Sequence, residues 1–289
     1  MEIISIYSLV PLISGLFVLV LGFFVWFKKP KELLHILFFF YASAIFIWLF
    51  GTFKMFNAIT DEKQIFWDRF IYIGIVFLPI LLYHFGLVYC DKRNQKVLLR
   101  IGYLITFLFL IFSQTDYFLY GLFKYKYGVH TIAQPLHTLF LVFFAIYFGL
   151  FFINLGYYYK INKGERKKQA KFIFLGYAVL TVIGTLGFLP AYEIPIYPII
   201  FLCGIPFVLF LTYAIIKYNA LDIKTIYSEV IITLLNLVIL AEIFFSKSKL
   251  EFFLRILVLL IVLIFSFILI NSVHKEIQRR EELLQLTHS

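Results

Sequence analysis

Charge is what this sequence has least of: Asp, Glu, Lys and Arg make up 15% of its 289 residues, against 63% that are hydrophobic. A water-soluble domain of that composition would be covered with exposed apolar patches, so a soluble globule is excluded. Cysteine is almost absent. Cys90 and Cys203 fall in different apolar runs and at different depths, so no disulfide is expected between them. Also missing are a phosphate-cradling glycine loop, a Cys/His cluster at zinc spacing, a nucleophile elbow and a helical HExxH pair. No cofactor or metal is therefore expected, and with no gap between apolar runs longer than about 22 residues there is no room for a soluble catalytic domain.

What is present is nine uncharged stretches rich in Phe, Ile and Leu: Ile3 to Phe27, Leu33 to Phe53, Phe70 to Cys90, Ile101 to Thr115, Tyr127 to Tyr159, Phe172 to Tyr192, Ile194 to Ile216, Val230 to Ala241 and Ile256 to His274. A bilayer core of roughly 30 Å takes about 20 helical residues. The fourth and eighth runs reach that length only if Arg100 snorkels and Glu242 sits at the headgroups. Backbone groups cannot stay unpaired in lipid, so the runs must be helices. The fold class is therefore an all-α, polytopic membrane helix bundle, with the bilayer as its first partner.

Of the 26 basic residues, one set of alternating gaps holds eighteen and the other eight, which places the first set in the cytoplasm. An odd number of spans then puts the N-terminus outside and the C-terminus inside. The net charge of +10 is mostly this surplus, so no nucleic-acid partner is needed to explain it. The first run lacks a basic leader and reads as a retained helix. The longest gap, Gln114 to Pro135, is rich in Tyr and Phe and reads as an aromatic belt on the outer membrane surface.

Candidate binding residues are the polar and aromatic side chains near span ends. Trp48, Trp67, Arg69 and Tyr72 fall on one side and can wall a shallow aromatic pocket between spans two, three and seven for a small, unidentified ligand. His84 is a further candidate, though a neutral His bonded to a neighbouring helix explains it better. Asp68 reads as an interfacial anchor beside Trp67. Asp116, His130, His137 and Glu193 have no regular spacing and carry no metal assignment; Asn154 and Asn236 suit bonds between helices.

From Leu250 to Leu286 there is neither Pro nor Gly, and one helix of that length overshoots the bilayer. Ile270, Ile277 and Leu284 recur at sevens, the coiled-coil period, which suggests an output helix pairing with its copy in a homodimer; a juxtamembrane helix lying at the headgroups is the alternative.

A family resemblance rests on particular residues. Glu165-Arg-Lys-Lys-Gln169, Gly176, Pro198, Gly204, Pro206 and Tyr213-Ala-Ile-Ile-Lys-Tyr-Asn-Ala-Leu-Asp-Ile-Lys224 resemble the closing part of the seven-helix N-terminal region of bacterial sensor histidine kinases. Trp48 with Gly51, and Trp67, Arg69, Tyr72, Gly74 and Pro79 with Tyr83-His-Phe85, match earlier positions. The resemblance spans about residues 5 to 225 and implies a sensory region over 1–225, two additional spans over 226–274 and the start of a cytoplasmic signalling helix over 275–289. In the subgroup with two extra spans, a phospho-accepting helix and an ATP-binding domain follow. This sequence holds neither, and His274 and His288 lack the companions of a phospho-acceptor, so no kinase activity is expected of these residues. The resemblance implies an input module of two-component signalling in the plasma (inner) membrane. A small transporter or channel is the alternative, and a membrane-embedded enzyme a third class.

Overall fold

The computed structural model describes residues 6–92, 94–222, nine positions between 229 and 246, and 248–288. Eight helices fill residues 6–218: α1 (Ile6–Lys28), α2 (Leu33–Phe56), α3 (Asp61–Ile75), α4 (Leu78–Tyr89), α5 (Lys96–Phe112), α6 (Pro135–Ile161), α7 (Gly164–Thr185) and α8 (Gly204–Tyr218). A ninth, α9, runs unbroken from Lys249 to His288. Contacts divide the chain into two units, Met1–Lys224 and Thr225–Ser289.

Seven helical segments among the described residues are long and apolar enough to cross a membrane. The fourth expected span appears as α5, seventeen residues long, or about 25 Å at 1.5 Å per residue, short of a bilayer core of roughly 30 Å. Half of the eighth expected span lies outside the described residues. Its described Asn236 donates to Ser266 Oγ of α9 at 2.9 Å, the helix-to-helix bond that residue type suggests in lipid.

The third span is one membrane crossing with a break. Thr60 caps α3 by accepting from the Lys63 amide, with Asp61 and Glu62 in the first turn. The α-helical hydrogen-bond pattern is interrupted at Val76 and Phe77, which keep right-handed helical dihedrals while the Phe77 amide bonds the Gly74 carbonyl at 3.1 Å, and it resumes where Pro79 occupies the first turn of α4, a position at which its missing N–H costs nothing.

The 114–135 gap has a fold of its own. It folds as an antiparallel hairpin, β1 (Leu119–Tyr125) and β2 (Gly128–Ala133), turning through Lys126 and Tyr127. The same Tyr and Phe that suggested a membrane surface are strong strand formers once a hairpin lets them pair. Gly121 takes a left-handed φ of 74° at the irregularity between Tyr120 and Phe123. Val129, His130 and Thr131 of β2 are consecutive and all buried, so both faces of this strand are covered. It packs on α3, on α2 and on a 3-10 segment, Leu186–Tyr192, that follows α7.

The first unit's core is aromatic: Tyr41, Tyr177 and Phe207 meet with ring centroids 5.0 to 6.5 Å apart. Helices approach closely at glycine. A Cβ on Gly74 would lie 2.4 Å from the Ala44 carbonyl oxygen of α2, and one on Gly204 would lie 2.5 Å from Ser14 Oγ of α1. Both cysteines are free and buried.

Candidate functional site at the hairpin end of the bundle

Asp68 and Arg69 are adjacent on α3, and successive helical side chains diverge by about 100° around the axis. Arg69 turns outward, pairing with Asp116 and reaching the Leu119 carbonyl at 3.4 Å. Asp68 turns inward and is fully buried. Its Oδ2 accepts from the Thr131 amide at 2.6 Å, the Thr131 hydroxyl at 2.5 Å and His130 Nδ1 at 3.0 Å. Three donors from consecutive residues of β2 thus converge on one carboxylate oxygen, fastening the hairpin to α3. His130 Nδ1 also lies 2.9 Å from the Thr131 carbonyl. Burial works against a charged His130, but the Asp68 charge and hydrogen bond, with the Thr131 carbonyl, raise its pKa above the ordinary 6.5. Such a buried pair fixes geometry more surely than it adds stability, since desolvation offsets most of the attraction.

One turn further along α3, Tyr72 Oη lies 2.7 Å from His137 Nε2 of α6, and His137 Nδ1 lies 3.0 Å from Tyr192 Oη. A neutral imidazole has one donor and one acceptor nitrogen, so His137 can satisfy both phenols in either tautomer. Tyr192 also bonds Thr138 at 3.0 Å. The polar groups at this end therefore link α3, β2, α6 and the 3-10 segment. Among the described residues no group of three or more His, Cys, Asp or Glu is placed to hold a metal.

Below this network a cleft opens among α2, α3, α4, α6 and α7, lined by Trp48, Phe144, Phe148, Thr181, Gly184 and Phe188 among others. Trp48 is held there by Gly184 and Gly187, at each of which a Cβ would come within 3.2 Å of its ring. Of the sequence candidates, Trp48 lines the cleft and Tyr72 belongs to the polar network above it. Trp67 lies elsewhere, under the Lys54 ammonium 5.4 Å away and edge-on to Phe50 at 6.1 Å. Arg69 is at the hairpin base. His84 Nδ1 meets Tyr103 Oη of α5 at 2.9 Å, apart from both. Spans two and three wall the cleft, but α6 and α7 supply the remainder where the seventh run was expected. Thr131, Thr181, Phe188 and Tyr192 had no local signal in the sequence.

At the opposite end, Gln169 of α7 donates to the Tyr218 carbonyl at 2.6 Å. There Asn219 ends α8 in a left-handed conformation, φ 50°, and its amide bonds the Ala214 carbonyl. The family model for the N-terminal 7TM region of histidine kinase matches residues 10–224. The chain belongs to that family. No curated protein and no solved structure matches it. The matched residues stop where the first compact unit stops, at Lys224. In this histidine kinase 7TM region the described part of the 213–224 motif, residues 213–222, is the capped end of α8, joined to α7 through Gln169, and Gly51 and Gly74 are points of close helix contact. The region is the non-catalytic input part of such kinases, and the chain is a multi-pass membrane protein.

Proposed function

We propose that this chain is the sensory input module of a two-component signalling protein of the plasma (inner) membrane. In this reading the hairpin end faces outside and the basic end the cytoplasm, following the bias in Lys and Arg. A small ligand or a change in the membrane acts by favouring one of two arrangements of the bundle. The observation that carries the reading is a family match over residues 10–224 in a chain that also holds a single 40-residue helix. At 1.5 Å per residue that helix is about 60 Å long, twice the bilayer core, so it reaches beyond the membrane. Its candidate span ends at Val273, and the residues beyond are the output. Two copies associate in parallel through Ile270, Ile277 and Leu284. Ile270 is half-buried, while the side chains of Ile277 and Leu284 lie outside the described residues.

Single cysteines placed from Val273 to Leu286, in a chain with Cys90 and Cys203 replaced by Ala, test the output helix in native membranes. Cross-linking between chains should recur with a period near 3.5 residues and peak at Ile277 and Leu284. Uniformly weak cross-linking would exclude the dimeric output.

A further inference from the structure

Six basic side chains crowd into the turn from α6 to α7: Lys160, Lys163, Arg166, Lys167, Lys168 and Lys171. Only Asn162 and Lys163 separate the two helices, so the stretch stays at the end of the bundle. Among the described residues a single carboxylate answers these cations, Glu165 beside Lys168 at 3.5 Å. The hairpin end differs, for there Lys124 pairs with Asp61 and Arg69 with Asp116. Arg166 and Lys167 also stand in the first turn of α7, the positive end of the helix dipole, where cations are disfavoured. So large an unanswered surplus in that position calls for an anion from outside the chain.

Depth decides which anion is in reach. α6 has 27 residues, about 40 Å at 1.5 Å per residue, against a hydrocarbon core of roughly 30 Å and a bilayer of about 40–45 Å with its headgroups. The turn therefore lies among the headgroups. Tyr157 and Tyr159 mark that level, as Tyr does at membrane interfaces. The ammonium groups of Lys92 and Lys167 stand over their rings, 4.5 and 4.9 Å from the centroids. An ammonium held over a ring keeps N–H donors for an acceptor on its other side.

We propose that this turn binds anionic phospholipid of the bilayer, holding the phosphate diester through Lys163, Arg166 and Lys167. This specifies the membrane change of the sensory reading above and rests on that reading for its consequence. Gln169 supplies the link inward. Its amide donates to the Tyr218 and Asn219 carbonyls at 2.6 and 3.4 Å, and the Lys168 ammonium stands 5.5 Å from the centre of the Tyr218 ring. Phe172 stacks on that ring at 5.6 Å. Lipid that orders the first turns of α7 thereby orders the capped end of α8, from which the chain runs on towards Thr225 and the second unit.

Native mass spectrometry of the full chain, released from nanodiscs of equimolar phosphatidylglycerol and phosphatidylcholine with matched acyl chains, identifies the lipids it retains. Phosphatidylglycerol should be retained several-fold over phosphatidylcholine. Arg166→Gln with Lys167→Gln should remove most of that preference, whereas Lys63→Gln with Lys126→Gln, an equal loss of charge at the hairpin end, should leave it intact. No preference in the wild type, or a preference that both pairs of substitutions change equally, would overturn the site. Inorganic phosphate retained without any lipid preference would give the site to a free anion and overturn the lipid proposal. Hydrogen exchange on the wild type needs no variant: amides at the end of α8 should exchange more slowly in phosphatidylglycerol nanodiscs than in phosphatidylcholine ones. Gln169→Leu should abolish that difference and keep the lipid preference; equal exchange of the wild type in the two lipids would overturn the coupling. A lipid preference in a chain whose α9 does not cross-link would keep the site and sink the sensory reading; cross-linking without the preference would do the reverse.

Discussion

Removing the His130 imidazole would leave the Asp68 carboxylate buried beside Thr131 without its cationic partner. Breaking one side of a buried ion pair typically costs about 3–5 kcal/mol, so His130→Ala should unfold at a clearly lower temperature, with the hairpin released first. The pair also sets a pH dependence. His130 has its folded pKa raised, so its contribution is complete below the unfolded value of 6.5 and fades as pH rises through the folded one. Thermal unfolding in detergent should therefore show the wild type losing stability from near-neutral pH upward, and His130→Ala losing less over the same range. Equal slopes would remove the pair as the cause. The ionisable groups around His130 are Asp68 on α3 and, further off, His137 on α6. None of this was legible in the sequence beyond the presence of Asp68. Asp68 and its Thr131 donor are 63 residues apart, and no local pattern tells which of two adjacent charges, Asp68 or Arg69, faces inward.

Helices are the elements the sequence reveals best, because an apolar run of bilayer length has no other way to satisfy its backbone. Two features escaped that logic. The hairpin escaped because Tyr and Phe suit a headgroup belt and a strand alike, and only pairing between Leu119–Tyr125 and Gly128–Ala133 decides. The break at Val76 and Phe77 escaped because both residues are apolar and hydropathy is blind to helix geometry. Close packing was partly visible as glycine, and the structure separates glycines that matter from those that do not. A Cβ at Gly74 would strike the backbone of α2, which cannot yield, whereas Gly149 has nothing within 4 Å. Gly74→Ala should destabilise by about 1–3 kcal/mol, the usual cost of overpacking. Gly149→Ala, which only raises helix propensity, should be neutral or slightly stabilising. Equal unfolding temperatures for the two variants would contradict the α2–α3 contact.

At the scale of the molecule, the sensory account joins a seven-helix family region over residues 10–224 to a long helix that leaves the membrane. The bundle holds a polar clasp at the hairpin end and an apolar cleft beneath it, joined through Phe188 and His137. An input region must make what happens there change the state of α9. The most direct measurement fuses a histidine kinase catalytic core in helical register after Leu286 and follows autophosphorylation in native membranes. Asp68→Asn, which weakens the clasp, and Phe188→Ala, which cuts the link to the cleft, should each shift the rate several-fold at equal protein levels. Rates indistinguishable from the wild type in both variants, with the variants folded and inserted, would contradict the account.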